Sequence, residues 1–406
     1  MATGSGKLAP LLPVAGVELG IAQAGIKQTG CDDVLVVQLA QGSELAAVFT
    51  QNTFCAAPVS VAKAHLGEAA PRYLLVNTGN ANAGTGEQGL RDARRSCEVL
   101  AAAAEVDSQS VLPFSTGVIG EHLPMDTLLA AIPAALTNCH AENWQRAASA
   151  ILTTDTRPKG RSLTLEIDGK TVTVTGIAKG SGMIRPNMAT MLAYVATDAR
   201  VSRDVLQTLW RDAVNASFNR ITVDGDTSTN DAAVLISTGK ADNTLIDSLD
   251  CDECMILAAA ITELAIDLAQ QIVRDGEGAS KFVTVRVAQG RSEAECEQVA
   301  FTVAHSPLVK TALFASDANW GRVLAAVGRA GIADLDGNTV SLLINDVLIA
   351  ERGARASHYT EEQGAAAMAC EDIELCIRLG RGEAEACVWT TDLSHDYVSI
   401  NADYRS

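Results

Sequence analysis

Apolar residues recur along the chain with two different periods. Residues 34–40 and 73–77 are short, nearly continuous apolar runs of strand length. Residues 89–105 and 126–136 space their apolar positions for helices, the first rich in Ala and Arg. Between 162 and 177, Thr164, Glu166, Thr171, Thr173 and Thr175 alternate with Leu and Val. Asp168-Gly169 falls where a two-residue turn belongs, so the pattern predicts a hairpin. A loop-rich stretch follows over 178–189, then an apolar strand over 191–195. Helices are expected over 205–218 and 251–273, and strands again over 282–287 and 340–348. The 251–273 helix carries Glu263, Asp267, Gln270 and Gln271 at three-to-four spacing, which makes it amphipathic rather than membrane-spanning. Alternating strands and helices predict an α/β or α+β architecture. No repeat of solenoid length and no low-complexity linker marks a domain boundary.

Composition narrows the function classes more than the fold. The 406 residues are 48% hydrophobic and 20% charged, the balance of a globular protein long enough for two domains. With 31 basic against 49 acidic residues the net charge is −18, which opposes binding to nucleic acid or anionic lipid. Ten Cys are too sparse for a disulfide scaffold. The one close pair, Cys251 and Cys254, encloses Asp252 and Glu253, whose charges oppose thiolate formation. The N-terminus shows no cationic patch followed by an unbroken apolar run. A reducing, cytoplasmic location is therefore expected.

Three candidate motifs fail on their context. Gly84-Thr-Gly86-Glu-Gln-Gly89 matches a dinucleotide fingerprint, but a further loop separates it from the strand ending near Asn77. The segment from Asp224 to Asp231 lacks the Gly of a calcium loop and has Leu235 where a bidentate Glu is needed. The six His form no metal-binding pair at helical spacing, so no metal is expected.

Lys179-Gly-Ser-Gly-Met-Ile-Arg-Pro-Asn-Met-Ala-Thr190 carries chemistry of another kind. Two Gly and a Pro permit a strained backbone ahead of an apolar strand, and Ala189 leaves its carbonyl open to attack. A Thr released as a new N-terminus has its own α-amine as base, so its hydroxyl is activated without histidine. On spacing alone, Thr190 as an ordinary strand residue remains the simpler account. Ser115-Thr-Gly likewise reads as a turn after Pro113, Glu277 as a turn carboxylate and Ser406 as a frayed end.

The Thr190 segment resembles the self-cleavage segment of the ornithine acetyltransferase family, bifunctional glutamate N-acetyltransferases of arginine biosynthesis. Further segments resemble that family in the same order: Asn77–Gly84, Ser115–Gly120, Thr153–Thr156, Thr222–Asp231, Asp317–Arg322 and Asn401–Ser406. One departure is Ala318, where the family pattern has Pro. The resemblance implies a self-cleaving, N-terminal-nucleophile type of acetyltransferase, with layered helices around mixed β-sheets. It implies cleavage between Ala189 and Thr190 into an N-terminal α chain, 1–189, and a C-terminal β chain, 190–406. Thr190 would take acetyl from N2-acetylornithine and pass it to glutamate, with Thr116 and Gly117 stabilising the oxyanion. Thr153, Lys179, Thr190, Glu277, Asn401 and Ser406 correspond to the family's substrate-binding positions. Lys179 suits the carboxylate that both substrates carry, and Glu277 suits the side-chain ammonium of acetylornithine. No cofactor is implied beyond acetyl-CoA as a co-substrate, and the expected assembly is a heterotetramer of two α and two β chains. Two other classes stay open at this point. One is an amidohydrolase or aminopeptidase with an N-terminal nucleophile, the other a non-enzymatic regulatory or interaction protein of the same fold.

Overall fold

The computed structural model describes residues 2–4, 6–185 and 191–403. The expected cleavage residues Ala189 and Thr190, and the terminal Ser406, lie outside the described residues. The chain forms two compact units, one of Lys7–Asn219 with Asp226–Ile272, the other of Met1–Gly6, Arg220–Gly225 and Val273–Ser406.

The larger unit begins with β1 (Val17–Ala22), β2 (Val34–Leu39), β3 (Glu44–Phe49), β4 (Tyr73–Asn80) and β5 (Val111–Val118). It continues with β6 (Lys159–Ile167), β7 (Lys170–Lys179), β8 (Leu192–Thr197) and β9 (Ala232–Ser237). These strands build a four-stranded sheet of order β1-β2-β4-β5 and a five-stranded sheet of order β3-β9-β8-β7-β6. The pairs β4–β5 and β8–β9 are parallel and the others antiparallel. Its helices are α1 (Ala57–Glu68), α2 (Gly86–Ala104), α3 (Met125–Thr137), α4 (Trp144–Ala150), α5 (Arg203–Ala216) and α6 (Asp252–Arg274).

The apolar runs are continuous because both faces of these sheets are buried. Leu35, Val37, Leu74 and Val76 share one core with Ile177, Tyr194, Val234 and Ile236 of the second sheet. Val34, Val36 and Leu75, one residue out of phase, pack instead with Cys97 and Leu100 of α2 and Ile132 of α3. Phe114 meets Tyr194 edge-on across the inter-sheet layer, ring centroids 5.4 Å apart. On the far face of the second sheet, Trp210 of α5 donates Nε1–H to the Ala233 carbonyl at 2.8 Å. There α6 also seats Leu264 and Leu268 over Gly176, where a Cβ would come within 2.8 Å of Leu264. By length and composition α6 could cross a membrane, with a mean hydropathy of 1.5 over its apolar window. In this fold its apolar stripe is a sheet-packing face, while Glu263 and Asp267 pair with Arg161 of β6. Helix, sheet, sheet and helix layers thus make up this unit.

The smaller unit contains β10 (Phe282–Gly290), β11 (Ser341–Ile344), β12 (Val347–Glu351), β13 (Ala354–Arg355), β14 (Asp372–Arg378) and β15 (Ala384–Thr391). They form one sheet of order β13-β12-β11-β14-β10-β15. Its helices are α7 (Glu293–Ala304), α8 (Pro307–Phe314), α9 (Trp320–Gly328), α10 (Glu361–Met368) and α11 (His395–Ala402). Val299 and Val303 of α7 and Val323 and Val327 of α9 share its core with Val285, Leu342 and Leu375.

The expected hairpin forms as β6–β7, with Ile167 opposite Lys170. Its turn residues Asp168 and Gly169 take φ of 53° and 68°, the left-handed pair that a tight hairpin requires. The single strand expected over 340–348 is instead a hairpin. Asn345 and Asp346, at φ of 44° and 65°, reverse the chain between β11 and β12. Asn and Asp tolerate that conformation, and the apolar residues on both sides concealed the turn.

Candidate active site

The parallel strands β4 and β5 end together, and their last residues are held by amide side chains. Ser115 donates to Asn77 Oδ1 at 2.5 Å, and Asn77 Nδ2 donates to the Asn80 carbonyl at 2.9 Å. Asn230 reaches across from the loop before β9, donating to the carbonyls of Ala81 at 2.6 Å and Ser115 at 2.9 Å. Thr116 and Gly117 are therefore strand-end residues on a fixed backbone rather than members of a free turn. Gly117 has φ of 136°, and a Cβ there would stand 2.2 Å from the Gly79 carbonyl carbon. Only glycine lets the two strand ends approach so closely.

Lys179 closes the other side as the last residue of β7, paired in register with Leu192 of β8. Ala189 and Thr190 thus fall, in sequence, between two neighbouring strands of one sheet. Lys179 is 3% exposed and donates from Nζ to Thr116 Oγ1 at 3.3 Å. It also lies 4.0 Å from Asp155 Oδ2. Asp155 accepts the Thr153 amide at 3.0 Å, the Gly180 amide at 2.6 Å and Lys159 Nζ at 2.6 Å. Burial pushes the Asp155 pKa up, but the Lys159 and Lys179 charges and the donated hydrogen bonds outweigh it and hold the carboxyl below its ordinary range. Thr116, Thr153 and Lys179 are in this way gathered around one buried carboxylate.

A second buried carboxyl lies at the start of β8. Asp231 Oδ1 accepts the Met191 amide at 2.9 Å. Burial raises the Asp231 pKa well above the ordinary carboxyl value, against the Met191 and Ser228 hydrogen bonds and the charge of Lys179.

Glu277 and Asn401 belong to the smaller unit and meet there. Asn401 Nδ2 donates to Glu277 Oε2 at 2.8 Å and to the Tyr397 carbonyl at 3.0 Å. Ser394 caps α11 by accepting the Tyr397 amide at 3.3 Å, and its hydroxyl donates to the Gly278 carbonyl at 2.7 Å. A Cβ on Gly278 would stand 2.5 Å from the Tyr397 nitrogen, so glycine is what lets the Glu277 turn and the last helix touch. Asp392 adds hydrogen bonds from the Ser280 and Lys281 amides at 2.9 and 3.0 Å. These contacts dock α11 against the Glu277 turn.

The sequence pattern of the ArgJ family matches residues 18–406. The chain belongs to the ArgJ family. The arginine biosynthesis bifunctional protein ArgJ of Pseudomonas fluorescens (strain Pf0-1) is 59% identical over 406 residues, covering 100% of both chains. Its namesake from Pseudomonas syringae pv. tomato is 57% identical over the same span, again with 100% of both chains covered. A crystal structure of the ArgJ protein from Bacillus halodurans is 35% identical, with a TM-score of 0.49. That likeness covers 50% of this chain and 95% of the other. The family expected from the motifs is the one found.

Asp155, Asp231 and Lys159 are not singled out by the sequence of this ArgJ-family chain. Asp155 and Asp231 both lie inside segments that resemble the family, yet neither segment shows which of its polar residues turns inward. Lys159 gave no signal at all, since a strand-initial Lys is ordinarily solvated.

Proposed function

We propose that the chain is a bifunctional acetyltransferase of arginine biosynthesis. It moves acetyl from N2-acetylornithine to glutamate through an ester on Thr190, and also acetylates glutamate from acetyl-CoA. The observation that carries this reading is the Lys179 side chain against Thr116, at the strand end leading into Ala189–Thr190. An ammonium and a hydroxyl side by side suit a carboxylate-bearing substrate whose carbonyl oxygen gains charge during transfer.

The Thr190 hydroxyl first attacks the Ala189 carbonyl, the peptide C–N bond breaks to leave an ester, and water hydrolyses that ester, which leaves the Ala189 carboxylate and frees the Thr190 hydroxyl and α-amine. That amine takes the Thr190 hydroxyl proton as Oγ attacks the acetyl carbonyl. The Oγ–C bond forms, the amide C–N bond breaks, and the proton leaves with ornithine. The glutamate amine then attacks the ester, the C–O bond breaks, and the proton that glutamate loses returns to Thr190 Oγ. Thr116 Oγ–H and the Gly117 amide receive the oxyanion in both steps. Lys179 pairs with the carboxylate that both substrates carry and Glu277 with the side-chain ammonium of acetylornithine, while Thr153, Asn401 and Ser406 are further substrate-binding positions by resemblance to the family. The two fragments stay together as a cytoplasmic heterotetramer of two α and two β chains, and no other cofactor takes part.

Intact-mass analysis tests the reading. Purified protein should show fragments 1–189 and 190–406, and donor without glutamate should add one acetyl to the second. Glutamate should remove it, with parallel-line kinetics as a ping-pong path requires. Thr190→Ala should stay one chain and be inactive. An uncut, fully active wild type would overturn this account, and acetate release unaffected by glutamate would make the enzyme a hydrolase.

A further inference from the structure

Asp155 touches Thr153, Lys159, Lys179 and Gly180 around the Thr116 site. Its side chain is fully buried, and both of its oxygens are engaged. Oδ1 accepts from Lys159 Nζ and the Gly180 amide, each at 2.6 Å. Oδ2 accepts the Thr153 amide at 3.0 Å and faces Lys179 Nζ at 4.0 Å. These partners come from the turn after α4, the start of β6, the end of β7 and the first residue of the loop leading to Ala189. Thr153 and Lys179 are not partners in the β6–β7 ladder, and the carboxylate bridges them beside the Thr154–Ser181 hydroxyl contact at 2.9 Å.

Its reach extends to Thr116 through Lys179. An ammonium can only donate, so at 3.3 Å the Thr116 oxygen must be the acceptor. The Thr116 hydrogen is then released from that contact to point at another acceptor. The adjacent positive charge polarises the O–H bond and makes it a stronger donor. A Lys179 side chain free to rotate would compete for the same oxygen from other directions, or leave it.

We propose that Asp155 is a positioning residue for acyl transfer: it pins Lys179 against the Thr116 oxygen, and so aims a polarised Thr116 hydroxyl at the reacting carbonyl. Thr153 and Gly180 are fixed in the same frame by their amides. This assignment rests on the acetyl-transfer reading of the site and adds a residue that reaches substrate only through others.

The test is a double-mutant cycle on the full-length protein, with kcat and KM measured for acetyl transfer to glutamate. Asp155→Asn should lower kcat at least about tenfold in the wild-type background. In a Lys179→Met background the same change should cost no more than about twofold, because the side chain it positions has gone. A purely structural carboxylate would cost the same factor in both backgrounds, and that result would overturn the proposal. Asp155→Glu keeps the buried charge but displaces it by one methylene, and so covers the case in which Asp155→Asn does not fold. It should fold and still lose kcat by at least about threefold, whereas full kcat in Asp155→Glu would also overturn the proposal. Acetyl-adduct formation on wild type is followed in the same preparations. Its absence would refute the transfer reading, while additive losses on an active wild type would refute only the role of Asp155.

Discussion

Replacing Thr116 by Val removes a hydroxyl and adds a methyl of nearly the same size, so packing at the buried strand end is disturbed little. The hydroxyl accepts a rather long hydrogen bond of 3.3 Å from Lys179. Losing such a bond costs the fold about 1 kcal/mol, and Lys179 keeps Asp155 nearby. Against a total stability on the order of 10 kcal/mol, the variant should remain folded. The transition state is affected far more. One preorganised oxyanion donor is worth about 3 kcal/mol, so kcat for acetyl transfer should fall roughly 100-fold or more. KM should stay within about threefold, since the ground-state carbonyl gains little from the donor. Thr116→Ser, which retains the hydroxyl, should return most of the rate. Initial rates over both substrates, with urea unfolding as the control for folding, measure all of this. A Thr116→Val enzyme with kcat within about twofold of wild type would reduce Thr116 to a buried acceptor for Lys179, with no part in the oxyanion.

Glu277→Gln keeps an oxygen for Asn401 and loses only charge; it should lower kcat/KM for acetylornithine at least about tenfold, roughly 1.4 kcal/mol, and leave transfer from pre-formed acetyl-enzyme to glutamate much less affected. Equal losses in the two half-reactions would assign Glu277 to loop support instead. Gly117→Ala places a Cβ 2.2 Å from the Gly79 carbonyl carbon and should destabilise the larger unit by on the order of 2 kcal/mol or more; an unchanged urea midpoint would contradict the described strand ends. Burial lowers the Lys310 pKa to about 8, against the raising influence of Asp392 and Asp224. Between pH 8 and about 10.4 the folded state then binds fewer protons than the unfolded one, so this group's penalty is relieved as pH rises. Wild type should therefore gain stability relative to Lys310→Met across that window in chemical denaturation, and a constant difference would exclude a lowered Lys310.

The parts of the fold that could be read from the sequence are those where one local rule dominates. The β6–β7 hairpin carries period-two alternation because one of its faces is partly solvated, and its Asp168-Gly169 turn has the side chains that a positive φ demands. Strand β5 went unread because Pro113 argues against a strand interior. It is tolerated there because β5 is the edge of its sheet and needs no ladder donor on its outer side. The site divided along similar lines. Motif likeness pointed to Thr116, Lys179 and Glu277, and Gly117 has the backbone freedom its φ requires. Asp155 and Lys159 were hidden, because a buried ion pair is a property of segments brought together in space and each residue alone resembles a solvated one. Ala189, Thr190 and Ser406 rest on resemblance alone.

The pairing of β7 with β8 bears on what a cut between Ala189 and Thr190 would leave behind. Six residue pairs, from Val174–Thr197 to Lys179–Leu192, span the two sides of that point. The second sheet runs β3-β9-β8-β7-β6, so the fragment starting at Thr190 would supply only its central pair, β8 and β9. Both flanks of that pair, β3 on one side and β7 with β6 on the other, come from the first fragment. Without those flanks β8 and β9 keep α5 and α6 but present two bare edges, which invite association with other chains. If that cut is made, synthesis as one polypeptide would act as a built-in chaperone: it delivers the halves at equal stoichiometry and at the millimolar effective concentration of a tether, and the cut would follow once β3 and β7 flank β8 and β9. Halves produced in separate cells and mixed afterwards should aggregate, whereas halves produced together from the start have a partner to zip against.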